Sequence, residues 1–134
     1  MQENKTANSK QAVIYTRVST DEQGRGYSLT TQLEACRKYG TERGYSLMAE
    51  FSDEYTGASL DRPGLNDLRE FTIGHSIDVV VVYDLDRLAR RSVYQMLIEE
   101  ELSKKGAIVE YVNGQYENTD EGRLQKQIKA SIAE

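Results

Sequence analysis

A single cysteine, Cys36, is the whole thiol content of the 134-residue chain. It can form neither an internal disulfide nor a thiolate-rich zinc site, and a reducing compartment is the simplest setting. One histidine, His75, is equally restrictive. A serine hydroxyl used for acyl transfer needs an imidazole to take its proton, and His75 sits in the turn-like stretch IGHSID, which reads as a surface loop. Long apolar runs are missing too. No stretch approaches the eighteen or so residues of a membrane helix, and the opening MQENKTANSKQ has no apolar signal-peptide segment. We therefore expect a disordered tail over residues 1–11, no membrane contact and a cytoplasmic protein. Positive charge is also short: 17 basic against 22 acidic residues give a net charge of -5. The chain as a whole has no long-range field for nucleic acid, so any anion binding must be local. Nine tyrosines are scattered without forming a base-stacking stripe.

Arginine is what the chain does have. Arg87, Arg90 and Arg91 fall within five positions, and arginine is favoured where a planar fork grips phosphate oxygens. The rest of the sequence alternates strand and helix signals. Ala12 to Val18 reads as a strand, followed by a polar loop through Tyr27 in which Gly24-Arg25-Gly26 supplies flexibility. Ser28 is a candidate N-cap for a helix over Leu29 to Arg43, with Leu33 and Cys36 on its apolar stripe and Gly44 as the stop. Tyr45 to Phe51 is a second strand, and Pro63 suits the first turn of a helix carrying Leu65, Leu68 and Phe71. Four successive valines within Asp78 to Tyr83 imply a strand covered on both faces. A helix over Ser92 to Lys105, with Val93, Leu97, Ile98 and Leu102 inward, leads to a last strand, Ala107 to Val112. The order predicts one α/β domain over residues 12–134, a mainly parallel sheet flanked by helices.

In such sheets ligands sit outside the carboxyl ends of the strands. Those ends carry Arg17 and Ser19, then Asp53, then Asp84, Asp86, Arg87 and Arg90. Strand alternation puts Tyr15, Arg17 and Ser19 on one face, where a hydroxyl and a guanidinium can address one phosphate. Ser19 and Thr20 could also simply terminate the strand. YDLDRLARR, Tyr83 to Arg91, can turn Leu85 and Leu88 inward with Asp86 and Arg90 one helical turn apart. A solvated helix start competes with that reading, but arginines at a helix N-terminus oppose the macrodipole unless an anion joins them. A rival enzyme would use Asp84 and Asp86, helped by Asp53 and Glu54, to hold a divalent metal as a nuclease. A non-enzymatic alternative is a phosphate- or nucleotide-binding module.

YTRVST, Gln32 in the following helix, DRPGL and DLDRLAR resemble, in order and spacing, the catalytic domain of serine recombinases, the family of transposon resolvases, DNA invertases and large phage-type integrases. GYSLTTQ, Gly26 to Gln32, is similar to the large-recombinase branch. The resemblance implies that Ser19 attacks a DNA phosphodiester to give a 5′-phosphoserine link and a free 3′-hydroxyl. It implies that Arg17, Arg87 and Arg90 hold the phosphate, and that Gln32, Asp53, Arg62, Asp86 and, more weakly, Gln23 support the site. Asp86 is then a candidate general acid. No metal or other cofactor is expected, and the partners would be double-stranded recombination sites and further copies of the chain, as dimer and synaptic tetramer. The closing segment DEGRLQKQIKASIAE carries Leu124, Ile128 and Ile132 at helical spacing. We expect it to be a truncated subunit-contact helix that lacks a further arginine and the DNA-reading domains, leaving this fragment unable to recombine DNA alone.

Overall fold

The computed structural model describes residues 9–18, 28–54 and 62–114. Four strands and four helices follow one another along them: β1 (Gln11–Arg17), α1 (Leu29–Glu42), β2 (Ser46–Asp53), α2 (Pro63–Gly74), β3 (Val79–Val82), α3 (Leu85–Leu88), α4 (Ser92–Lys104) and β4 (Ile108–Tyr111). All neighbouring strands pair in parallel, in the order β2-β1-β3-β4. The chain leaves β1 toward one edge to make β2, then crosses back to place β3 on the other side of β1. The order therefore reverses between β1 and β3, and their carboxyl ends flank the crevice where ligands of open α/β sheets bind.

Two apolar layers hold the sheet. One face packs Val13, Tyr15, Val80 and Val82 against Leu65 and Leu68 of α2, Leu85 and Leu88 of α3, and Ile98 and Leu102 of α4. The other packs Ala12, Ile14, Val79 and Val81 against Cys36 and Tyr39 of α1. All four valines of β3 are fully buried, as expected of a strand covered on both faces. Ser28 caps α1 by accepting from the Thr31 N–H, and Gly44, at φ 75°, takes the left-handed conformation that ends it. No helix among the described residues is long and apolar enough to cross a membrane.

Three local expectations change. β2 runs through Asp53, two residues further than its apolar pattern suggests, because its backbone stays in register with β1 up to Arg17. The YDLDRLARR stretch does not open the following helix. It forms the separate four-residue α3, after which Ala89 turns extended at φ -164° and ψ 152°, so Arg90 and Arg91 lie in the connection and Asp86 is not one helical turn from Arg90. On α4, Val93 and Leu97 point outward, 48% and 50% exposed, while Gln95 takes the buried position in line with Ile98 and Leu102.

Candidate functional site

At the carboxyl end of the sheet, the side chains of Arg17, Gln32, Asp53, Arg62 and Arg87 are all buried. Each is fixed by a specific backbone need. β3 stops pairing with β1 at the Tyr15–Val82 pair, leaving the main chain of Arg17 without a strand partner on that side. Gln32 of α1 fills the gap: its Oε1 accepts from the Arg17 N–H at 3.2 Å, and its Nε2 donates to the Arg17 carbonyl at 2.9 Å. The Arg87 Nη1 donates to the same carbonyl at 3.2 Å.

Asp53, at the end of β2, supplies the cap that α2 lacks locally. The N-cap residue of α2 is Arg62, which makes no side-chain capping bond. Asp53 Oδ1 instead accepts from the Gly64 N–H at 2.7 Å, and its Oδ2 accepts from the Leu65 N–H at 2.9 Å and from the Tyr15 hydroxyl at 2.7 Å. The approach is so close that a Cβ on Gly64 would lie 2.3 Å from the Ser52 carbonyl oxygen, so only glycine fits. Burial pushes the Tyr15 hydroxyl well above its ordinary pKa; Arg62 pulls back, and the hydrogen bond and charge of Asp53 raise it further. Tyr15 therefore acts as a hydrogen-bond donor, not as a base.

Arg62, held beside this cap, is fully buried with its guanidinium carbon 5.6 Å from the Tyr15 ring centre. Its Nη2 donates to the Leu88 carbonyl at 2.7 Å, while Nε and Nη1 have no hydrogen-bond partner among the described residues. Buried guanidinium donors left unbonded are costly.

The α3 turn carries the second arginine motif. Asp84 caps it, accepting from the Asp86 N–H at 3.0 Å. Arg87 reaches back to the Asp86 carboxylate with Nε at 3.3 Å and Nη2 at 3.2 Å. For Asp86, burial is the strongest influence and works against the charge, yet hydrogen bonding with Asp84 and Arg87 and the charges of Arg87 and Arg17 outweigh it. Its pKa falls below the usual carboxylate value, which favours an ion pair with Arg87 over a general acid at neutral pH.

A helix of four residues cannot satisfy its own carbonyls, and here side chains from three other elements do so. Arg17 donates to the Asp86 carbonyl through Nη2 at 2.6 Å and to the Arg87 carbonyl through Nε at 3.2 Å. Arg62 takes the Leu88 carbonyl, and the Gln95 carboxamide takes those of Leu85 at 3.2 Å and Ala89 at 2.6 Å. Arg90, in contrast, is exposed.

Of the residues singled out from the sequence, Arg17, Gln32, Asp53, Arg62, Asp86 and Arg87 are linked through this network, with Arg90 one residue beyond it. Ser19 and Gln23 lie outside the described residues, as does the Leu124, Ile128 and Ile132 stripe. The metal reading loses support, because Asp84 is occupied in capping α3, Asp86 in pairing with Arg87 and Asp53 in accepting from three donors. Cys36 is buried in the core and His75 is exposed, both as expected, and the His75 ring also stacks on Phe71. Tyr15 and Gln95 were not among the supporting residues expected from the sequence. The only signal for Gln95 was a polar residue in register with Ile98 and Leu102.

A family model described as the resolvase N-terminal domain matches residues 12–134. A Bacillus subtilis (strain 168) protein carrying a DNA recombinase description is 41% identical over 124 residues, which make up 90% of this chain and 24% of that protein. The Tn917 transposon resolvase of Enterococcus faecalis is 32% identical over 123 residues, 90% of this chain and 59% of the resolvase. The chain thus spans less than two thirds of either relative. The crystal structure of the N-terminal catalytic domain of TP901-1 integrase superposes with a TM-score of 0.78 at 28% identity, covering 92% of this chain and 93% of that one.

Proposed function

The chain belongs to the resolvase family, and from that premise we propose that it is the catalytic part of a site-specific DNA recombinase that cuts through Ser19. The Ser19 hydroxyl attacks the phosphorus of a DNA phosphodiester. The bond to the 3′-oxygen breaks, that oxygen leaves with a proton as a free 3′-hydroxyl, and the 5′-phosphate remains esterified to serine. Attack by a 3′-hydroxyl of the exchanged strand reverses the step and releases the serine. The phosphodiester energy is kept in the covalent link, so religation needs neither ATP nor a metal.

The transition state adds negative charge to a group that is already anionic, and preorganised guanidiniums answer that charge better than a histidine base. The observation that carries the reading is Arg62: a fully buried guanidinium with two donor atoms unbonded among the described residues, sharing the α3 carbonyls with Arg17. A phosphate among these arginines would engage those donors. Arg87 and Arg90 complete the phosphate-binding set, while Gln32 and Asp53 hold Arg17 and Arg62 in place and Asp86 orients Arg87. Gln23 belongs to the same site by motif alone. DNA recombination sites are the proposed substrate, and the outward apolar side chains of α4, Val93, Met96 and Leu97, each about half exposed, support self-association of the chain.

The test uses the full-length protein with its recombination site in excess EDTA. A covalent protein–DNA adduct should form with the wild type and vanish in Ser19→Ala, whereas DNA binding survives because affinity for duplex is dominated by phosphate contacts. Activity lost in EDTA and restored by magnesium would favour the Asp84/Asp86 metal reading instead.

A further inference from the structure

The five carbonyls from Leu85 to Ala89 divide their donors unequally. Those of Asp86, Arg87 and Leu88 depend on Arg17 and Arg62, the two side chains that the proposed reaction also offers to the phosphate. A guanidinium whose charge is also drawn to a phosphate holds its carbonyl less strongly. Those of Leu85 and Ala89, at the entrance and exit of the turn, depend on Gln95. Gln95 is neutral, so a phosphate has no strong electrostatic hold on it. It is 2% exposed and sits on α4, a helix anchored in the core through Ile98 and Leu102.

We propose that Gln95 is a positioning residue for the phosphoryl transfer: its carboxamide clamps both ends of the α3 turn and keeps Arg87, and the exit toward Arg90, aimed at the phosphate while Arg17 and Arg62 serve the α3 carbonyls and the phosphate oxygens together. The clamp is geometrically complete, since the two amide hydrogens of one carboxamide serve the two carbonyls. Local chain chemistry offers no substitute. The Ala89 N–H does reach the Leu85 carbonyl at 3.3 Å, but this single bond spans only one end of the turn, and Ala89 itself is extended. Gln95 contributes no atom to the reacting phosphate and acts through α3. The inference rests on the reading of Arg17 and Arg62 as phosphate ligands.

The test is Gln95→Met, which keeps the length of the side chain and removes both donors, in the full-length protein on its recombination site. Loss of aim of a catalytic arginine should lower the single-turnover cleavage rate at saturating protein by about tenfold or more, with DNA affinity unchanged. A merely structural role would lower the melting temperature but leave the rate, measured well below that temperature, within threefold, and that result would overturn the proposal. Gln95→Glu, which also lacks the donors, should show the same split. Should neither variant fold, proton exchange of the Gln95 carboxamide in the ¹⁵N-labelled wild type decides. Slow exchange of both hydrogens, with a shift of the Arg87 Nε–H signal on binding DNA, supports the clamp; exchange as fast as that of exposed glutamines overturns it. Absence of any Ser19-dependent adduct in the wild type would refute the proposed reaction itself, and the carboxamide measurement would still judge the clamp.

Discussion

Replacing Asp53 by alanine removes one acceptor from three donors at once: the N–H groups of Gly64 and Leu65 and the hydroxyl of Tyr15. Asp53 is 5% exposed and Tyr15 fully buried, so water does not readily replace the carboxylate. A buried donor stranded in this way costs about 1–3 kcal/mol. Three such donors cost about 3–9 kcal/mol if none finds a partner, and about 4 kcal/mol is a conservative total. That is a large part of the roughly 5–15 kcal/mol by which a domain is stable, and at about 3–5 °C per kcal/mol it lowers the melting temperature by roughly 12–20 °C. Tyr15→Phe removes a single donor and should cost about 1 kcal/mol. The two changes act on one cluster, so their effects must not add: with Asp53 already gone, Tyr15→Phe removes a stranded hydroxyl and should be neutral or recover part of the loss. Urea and thermal unfolding of the two single variants and the double variant, followed by circular dichroism, measure all of these. A loss below about 1 kcal/mol for Asp53→Ala would show that the carboxylate does not cap α2 and that Arg62 is held by something else, and strict additivity would show that Tyr15 does not donate to that carboxylate.

Stability should also fall on acidification through Asp86. Its folded pKa lies below the usual value, so its contribution is fully present above the ordinary aspartate pKa of about 3.9 and is lost as pH falls through the lowered folded value. Asp86→Asn should therefore flatten the fall of the melting temperature on acidification below the ordinary aspartate range, and an unchanged acid limb would contradict the ion pair with Arg87. Gly64→Ala should cost more than about 2 kcal/mol in urea unfolding, because its Cβ meets the Ser52 backbone at 2.3 Å; a neutral effect would mean that the β2–α2 approach is looser than described. Arg87→Ala or Arg90→Ala in the full-length protein should each slow cleavage by about 10²-fold or more, the cost of one preorganised donor to a developing charge. Changes below threefold in both would make these arginines structural.

Local pattern was enough where the chain speaks locally. The run of valines marked β3 as doubly covered, Ser28 and Gly44 bounded α1, and the strand-end arginines pointed to the crevice that the reversal of strand order creates. Long-range contacts were not legible. Asp53 caps a helix that begins ten residues later, Gln32 substitutes for a missing strand partner of Arg17, and the α3 carbonyls are served from β1, α4 and the start of α2. No spacing rule encodes such pairs, which is why Gln32, Asp53 and Arg62 read as site residues without their mechanical roles. The α4 error has another cause. Val93, Met96, Leu97, Ile98 and Leu102 put apolar side chains on more than one face of that helix, so periodicity could not choose the buried face, and the polar Gln95 was passed over on the face that is in fact buried.

The proposed chemistry is attack by Ser19, two residues beyond β1 in sequence, with arginines serving the phosphate. Its most direct test is to trap the protein–DNA adduct of the full-length protein on a site nicked so that religation cannot occur, digest both polymers, and sequence the modified peptide by mass spectrometry. A 5′-linked nucleotide phosphate is expected on Ser19, in the peptide that follows Val18, with an extendable 3′-hydroxyl on the cleaved strand. A nucleotide on any other residue, or cleavage with no covalent adduct, would contradict it.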